Sequence, residues 1–382
     1  MVVALFIFTA LLLLAHAILI EKYRYWFLKL KPFVIKSEDP AVTKFSIIIP
    51  ARNESANIEK CIKSIIANQY PKNLYEIIVV DDYSTDNTAG IVRQFQKQNT
   101  NLHLIQLEKM LKEKQLNSYK KKAIEIAILQ SAGEYVVTTD ADCIIPEKWL
   151  FFIDKFITER QAVFIAAPVR FQDNGSFVSK FQCLDFMSLQ GITAAAVGAG
   201  FHSMCNGANL AYSKKVFLEV GGFKGIDNIA SGDDMMLMHK IYKLHKNGIG
   251  FLFSNEAVVV TQPMPSWKDF FNQRIRWASK ADKFDDKRII AVLALVYLLN
   301  LSFIAVPIIA FWYWKLWLWW GIMLVVKVLI EFRFMSPVAN FFNQQKLMWW
   351  FPVMQPFHIL YTIIAGWLGK FGSYKWKGRK VN

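Results

Sequence analysis

Phe45-Ser46-Ile47-Ile48-Ile49-Pro50-Ala51-Arg52-Asn53-Glu54 begins as a β-branched apolar run and ends on a proline, a cation and an acid. A run of that length and composition predicts a buried strand. The helix that follows carries Ile58, Cys61, Ile62, Ile65 and Ile66 on one face. Pro50 to Glu54 ends the strand and opens that helix, whose free amides favour anions. The segment lacks the glycine fingerprint of a dinucleotide site, which disfavours a Rossmann dehydrogenase. Ile77 to Val80 reads as a second strand closed by Asp81-Asp82, and Ser84-Thr85-Asp86 supplies helix N-cap chemistry. A third strand near Leu102 to Gln106, a helix from about Lys121 to Ser131 and a fourth strand from Tyr135 to Thr139 continue the series. Such β-α alternation predicts an α/β domain, residues 45–262, with a mainly parallel sheet covered on both faces. Ligands of these sheets gather at the carboxyl ends of the strands.

Outward from this domain the composition changes. The 382 residues are 54% apolar, and the apolar excess collects at the two ends. Val2 to Ile20 is uncharged and of the length that crosses a bilayer, so residues 1–21 are expected to be a transmembrane helix. Lys22, Arg24, Lys29, Lys31 and Lys36 follow in a basic linker, residues 22–44. The positive-inside rule then places the chain start outside and the next segment in the cytoplasm. Ala15-His16-Ala17 permits a cleaved signal peptide, but such a peptide wants its charge before the apolar run.

After an amphipathic segment, residues 263–287, candidate spans at Ile289 to Trp314, Leu316 to about Met335 and Met348 to Gly369 make up residues 288–370. Lys327, Glu331 and Arg333 interrupt the second, and the third contains Pro352 and Pro356, so tilted, kinked or partly interfacial segments are expected there. Three crossings would put the basic tail, residues 371–382, outside; two would keep it inside. The expected location is the inner, cytoplasmic membrane with the domain facing the cytoplasm. A net charge of +15 suits anionic lipid or phosphorylated ligands. No nucleic-acid-binding signature accompanies it, so nucleic acid is not an expected partner. Protein partners are not identified by the sequence. Cys61, Cys143, Cys183 and Cys205 are far apart, which argues against a disulfide framework or a zinc site.

Four constellations carry chemistry. Asp140-Ala141-Asp142 stands where the fourth strand ends, and carboxylates two apart on an extended segment can share a side and hold a hard divalent cation. Asp82 should lie on the same rim, where carboxylates accept hydrogen bonds from a base or ribose. Among Lys120-Lys121-Lys122, Lys121 is the candidate for the phosphates. Asp233-Asp234, after Ser231-Gly232, offers a general base, with Asp234 preferred; helix capping is the plain alternative. In Gln273-Arg274-Ile275-Arg276-Trp277, Gln273, Arg276 and Trp277 share a helix face opposite an apolar stripe of Trp267, Phe270, Phe271, Ile275 and Ala278. That pattern describes a helix at a membrane interface. Arg276 would hold a diphosphate and Trp277 would offer a flat surface to a sugar.

In order along the chain, Ser46 to Glu54, Val80-Asp81-Asp82-Tyr83-Ser84, the lysines before Ala123, Thr139-Asp140-Ala141-Asp142, Asn206-Gly207-Ala208-Asn209, Gly232-Asp233-Asp234 and Gln273-x-x-Arg276-Trp277 resemble glycosyltransferase family 2. The resemblance covers about Phe45 to Trp277. It implies a GT-A fold, flanked here by transmembrane helices, and inverting transfer from a UDP-sugar or similar donor with Mg²⁺ or Mn²⁺. By motif position it implies donor contacts from Pro50, Ala51, Arg52, Glu54, Asp82, Lys121, Asp140 and Arg276, and metal contacts from Asp142 and Asp140. Asp234 becomes the base, and Asp233, Gln273 and Trp277 meet the acceptor, a membrane lipid or a growing glycan. The family usually has Glu-Asp where this chain has Asp233-Asp234. Members with this last helix are often processive polysaccharide synthases, so chain growth and single addition both stay open, as does the sugar. Two rival readings are a nucleotidyltransferase, which would need a glycine-rich, arginine-containing loop after the first strand, and a non-catalytic membrane receptor or transporter that binds sugar nucleotides.

Overall fold

A computed structural model describes the chain except for residues 1, 37–38, 112–117, 203, 228, 230–231, 281–285, 372–373, 377–378 and 382. The opening stretch forms the strand β1 (Phe45–Ala51), with Ile47, Ile48 and Ile49 wholly buried. Around it lie β2 (Tyr75–Asp81), β3 (Leu102–Gln106), β4 (Tyr135–Thr138), β5 (Phe164–Ala166), β7 (Leu210–Ser213) and β8 (Ile249–Phe251), in the order β3-β2-β1-β4-β7-β5-β8. Only β7 runs against its neighbours β4 and β5; all other pairings are parallel.

Where Pro50 was expected to end the first strand, β1 continues through it to Ala51. The reason is local. β4 pairs with β1 only as far as Ile48, whereas β2 pairs with it to Ala51, so Pro50 sits where one side of the ladder has already stopped. The shared direction of β1, β2 and β4 puts Ala51, Asp81 and Asp140 on one rim. A small second sheet pairs β6 (Val169–Phe171) with β9 (Val259–Thr261), and the backbones of Ile144 and Val260 bond to each other at 2.7 and 3.0 Å. This bridge brings Thr261 beside the end of β4.

Four long helices, Val2–Leu28, Lys287–Ala310, Lys315–Phe341 and Phe351–Phe371, form a bundle against the domain. The first of these and Lys287–Ala310 are long and apolar enough to cross a membrane. The first does not stop at residue 21: its helix runs on through the basic stretch to Leu28, because Tyr23 and Phe27, one turn apart, are buried. Phe27 meets Phe253, Phe334 and Phe341 edge-on. The linker therefore begins after Leu28.

Of the charges that interrupted the second C-terminal span, Lys327 and Glu331 turn inward, whereas Arg333 stays exposed and meets Glu21 at 3.2 Å. Lys327 is 1% exposed and pairs with Glu331 at 2.8 Å and Gln355 at 2.8 Å, while Glu331 also meets His16 at 2.8 Å. With those charges paired, Lys315–Phe341 is one continuous 27-residue helix. The last helix, Phe351–Phe371, lies alongside the helix Trp267–Ala278. Phe357 stacks on Trp267, Tyr361 meets Phe270, Ala365 packs on Ile275, and Gly369 faces Ala278. A Cβ at Gly369 would stand 2.6 Å from the Ala278 Cβ, so only glycine allows this approach. Gly369→Leu is accordingly expected to separate the two helices and lower the thermal stability of the purified protein, while Gly321→Ala, in a helix interior with open space, does not lower it.

Candidate active site

At the carboxyl ends of β1 and β2, two loops are laced together. The Arg52 guanidinium donates from Nη1 to the carbonyls of Asp82 (2.8 Å) and Tyr83 (3.1 Å). Asn53 and Tyr83 both take positive φ, at 52° and 53°, and the Asn53 side chain accepts from the Thr85 amide at 2.8 Å. Asp86 accepts from the Ser55 and Thr88 amides, both at 3.0 Å. The Glu54 amide donates to Thr88 Oγ1 at 2.8 Å. Pro50, Ala51, Arg52, Glu54 and Asp82 therefore form one rigid corner of the rim, with Asp82 buried at its centre.

Beside this corner lies a cavity of about 810 Å³. Asp140, Asp142, Asp233, Asp234, Gln273, Arg276 and Trp277 all line it, although they are spread over some 140 positions of the sequence (~, Asp140 to Trp277). Asp142 Oδ2 accepts from Thr261 Oγ1 at 3.1 Å, a contact made possible by the bridge between Ile144 and Val260. Burial, then the nearby charges of Asp140 and Glu54, push the Asp142 carboxyl up to about 6. Asp142 thus lacks full compensation from the protein, which is the setting a cation relieves. Among the described residues no three His, Cys, Asp or Glu side chains gather to hold a metal by themselves.

Of the three lysines, the one that lines the cavity is Lys120, not Lys121. Lys120 Nζ donates to Asp140 Oδ1 at 2.8 Å and stands 3.8 Å from Asp233 Oδ2. Burial opposes its charge, but Asp140 and then Asp233 outweigh that and hold its pKa above the usual lysine range. Lys121 turns the other way. Its ammonium is buried and donates to the carbonyls of Ile226 (2.7 Å) and Ile229 (2.5 Å), and burial pulls its pKa down to about 8. On a helix, neighbours one apart point about 100° away from each other, so the triplet alone did not say which one faces the rim. Lys120→Ala is expected to impair donor use in a protein that still folds. Lys121→Ala removes an ammonium that donates to two carbonyls and is expected to lower stability, read as an earlier thermal melt.

Gly232, at φ 79°, precedes the helix Asp233–Leu244, so glycine holds the cap position and both acids fall in the first turn. The capping role weighed for Asp233 and Asp234 is thus taken by Gly232. Asp234 Oδ2 accepts from the Gly207 amide at 3.1 Å, and Oδ1 accepts from the Met235 amide at 2.8 Å. The Gly207 carbonyl in turn accepts from Thr138 Oγ1 at 2.9 Å, which ties the Asp234 support to β4. Burial would raise Asp233, but Lys120, Lys280 and Lys121 outweigh it and lower its pKa. The shorter acid that replaces the family's glutamate is therefore the one that sits among the lysines.

The helix Trp267–Ala278 starts on a cap in which Ser266 Oγ accepts from the Asp269 amide at 3.2 Å and donates to its carboxylate at 2.6 Å. Its apolar stripe packs on Phe181 and on the last helix rather than facing outward. Gln273, Arg276 and Trp277 reach the cavity. Arg274, which lay inside the quoted motif without a role, is buried. It donates from Nε and Nη2 to Asp185 Oδ2 at 2.9 and 2.5 Å, and its guanidinium lies over the Trp277 ring at 4.2 Å. Tyr361 donates to the other Asp185 oxygen. No local signal marked Asp185 in the sequence beyond an acid set among Phe181, Leu184 and Phe186.

A carboxylate pair at the end of β4, a second pair at a helix start and a Gln-x-x-Arg-Trp helix thus meet in one cavity over the rim of a mainly parallel, GT-A-type sheet. The chain belongs to glycosyltransferase family 2: the model described as glycosyl transferase family 2 matches residues 46–221, and that described as glycosyl transferase family group 2 matches residues 135–368. The poly-beta-1,6-N-acetyl-D-glucosamine synthase of Staphylococcus epidermidis is 27% identical over 260 residues, 66% of this chain and 59% of that protein. The probable glycosyltransferase YdaM of Bacillus subtilis is 26% identical over 239 residues, 62% of this chain and 54% of that protein. These matches thus span little more than half the length of either relative. Among solved structures, the mannosyltransferase PcManGT from Pyrobaculum calidifontis, in complex with GDP-Man and Mn²⁺, aligns at a TM-score of 0.63 and 20% identity over 94% of this chain and 99% of its own. At that identity the likeness shows the GT-A fold.

Proposed function

We propose that this chain transfers a sugar, with inversion, from a nucleoside-diphosphate sugar to an acceptor hydroxyl at the cytoplasmic face of the inner membrane. The observation that carries this is the single cavity into which Asp140, Asp142, Asp234, Arg276 and Trp277 converge. Asp234, held by two backbone amides, takes the proton of the acceptor hydroxyl as its oxygen bonds to the anomeric carbon. The bond from that carbon to the diphosphate breaks, and Arg276 and Lys120 are the cations at hand for the leaving charge. Trp277 gives the sugar a flat apolar face. The laced corner from Pro50 to Asp82 receives the nucleoside. Asp140 and Asp142, with phosphate oxygens of the donor, suit Mg²⁺ or Mn²⁺, which when bound would neutralise the diphosphate.

The helices support the membrane part. Lys287–Ala310 and Lys315–Phe341 are joined by the exposed Phe311, Trp312, Tyr313 and Trp314, the aromatic residues that favour a membrane interface. This pair returns the chain to its starting side, and the last helix stays beside Trp267–Ala278. Residue 371 onward is then cytoplasmic, in keeping with the basic tail. A processive synthase is the second reading, favoured by the name of the staphylococcal relative. Incubating detergent-purified protein with UDP-N-acetylglucosamine, UDP-glucose and GDP-mannose, with Mg²⁺, Mn²⁺ or EDTA, tests both. Metal-dependent release of nucleoside diphosphate with one sugar added supports single transfer, and long products support the synthase. Absence of donor turnover in every mixture would leave the transferase proposal without support.

A further inference from the structure

Resting on the transfer reaction proposed above, we infer that the acceptor is a membrane lipid with an anionic headgroup, which reaches Asp234 through an apolar arm of the catalytic cavity. The cavity has two kinds of wall. One end carries the carboxylates, Gln273 and Arg276. The other runs between the first turns of Lys287–Ala310 and the last turns of Phe351–Phe371, and is walled by Ile290, Leu293, Tyr297, Gly366, Trp367 and Phe371.

Two features make this arm a lipid path. Its apolar walls are open outward: Ile290 and Leu293 are each 41% exposed, Trp367 58% and Phe371 67%. They belong partly to a helix apolar enough to cross the bilayer, so the arm's mouth lies where hydrocarbon is the neighbouring solvent. A soluble glycan would need many hydrogen-bonding groups along that wall; Ile290, Leu293, Gly366 and Phe371 offer no side-chain partner, and Tyr297 and Trp367 one polar atom each. Glycine at 366 also sets the arm's shape, since a Cβ there would stand 2.9 Å from two carbons of the Tyr297 ring. Lys280, beside Gly232 and acting on Asp233, and Lys370, next to Gly369 at its junction with Ala278, line the same cavity. Cations on its wall fit a phosphate lying between a hydrocarbon tail and the reactive hydroxyl. In the step itself the lipid oxygen bonds to the anomeric carbon, its proton passes to Asp234, and the nucleoside diphosphate leaves with the electron pair of the broken bond.

The test uses the full chain in detergent with whichever radiolabelled donor it turns over. Acceptors are phosphatidylglycerol vesicles, diacylglycerol and a water-soluble chito-oligosaccharide. Label is expected in the organic phase, more from phosphatidylglycerol than from diacylglycerol. Leu293→Trp and Gly366→Leu, which fill the arm, are each expected to raise the KM for the lipid about tenfold or more with the KM for the donor unchanged. Leu318→Trp, on an exposed position at the far end of the bundle, serves as the control that leaves both constants alone. Label that stays in the aqueous phase on the oligosaccharide overturns the lipid acceptor while leaving the transferase reading intact. Lipid products formed equally well by both arm-filling variants overturn the path. Donor that is never consumed overturns the transferase reading itself.

Discussion

Asp234→Asn is expected to cut sugar transfer by about 10²- to 10⁴-fold, the range a positioned general base contributes. The carboxylate does two things that asparagine divides. Its oxygens accept from the Gly207 and Met235 amides, and it lines the same cavity as Gln273, Arg276 and Trp277. Asparagine keeps one accepting oxygen but turns an amide N–H toward the second backbone donor, so one hydrogen bond is lost, at about 1 kcal/mol. The variant should therefore fold, bind donor with little change and fail in kcat. Asp233→Asn should behave differently, because Asp233 faces Lys120 and Lys280. Its loss leaves lysines less compensated beside Asp140, and the expected change is in donor KM. Initial rates of sugar transfer and nucleoside diphosphate release, with a thermal melt for each variant, separate the two. Wild-type kcat in Asp234→Asn would remove this residue from the base role.

Much of this site was legible because its members end strands or start helices. β1 and β2 declared themselves as unbroken β-branched runs, and parallel strands must bring their carboxyl ends to one side, so Asp82 and Asp140 could be placed on a common rim from sequence alone. What the sequence hid depends on rotation and on distant partners. The lysine triplet was visible, but one residue on a helix turns a side chain by about 100°, and that angle decides between Lys120 in the cavity and Lys121 on loop carbonyls. The second bundle helix looked broken at Lys327 and Glu331 because hydropathy counts charges without their partners, and His16 and Gln355 lie 311 and 28 positions from Lys327. Thr261 reaches Asp142 only through a bridge between segments more than a hundred residues apart. The first strand was read as Phe45 to Ile49, two residues short, for want of knowing where β4 ends.

Asp185→Ala is expected to destabilise the protein by about 3–5 kcal/mol, the range for removing one partner of a buried ion pair. The Asp185 and Arg274 side chains are 2% and 4% exposed, so neither can turn to water when the other is gone. Asp185 also accepts from Tyr361, and its loss unties the last helix as well as Trp267–Ala278. Combining it with Arg274→Met removes the stranded charge and keeps an apolar stem under Trp277, so the double variant should be more stable than Asp185→Ala alone. Activity should not return with stability. Arg274 lies between Phe270 and Trp277, at 4.7 and 4.2 Å from their ring centres, and it fixes how the indole presents its face to the cavity. On the proposed function, Asp185 would be a positioning residue whose effect reaches the cavity through Arg274 and Trp277. The double variant is expected to bind donor normally and show a raised acceptor KM, whereas a purely structural pair would give normal constants once the fold is restored. A double-mutant cycle of melting curves, set beside KM for donor and for acceptor, reads both effects, and additive losses of stability would deny the coupling between the two residues.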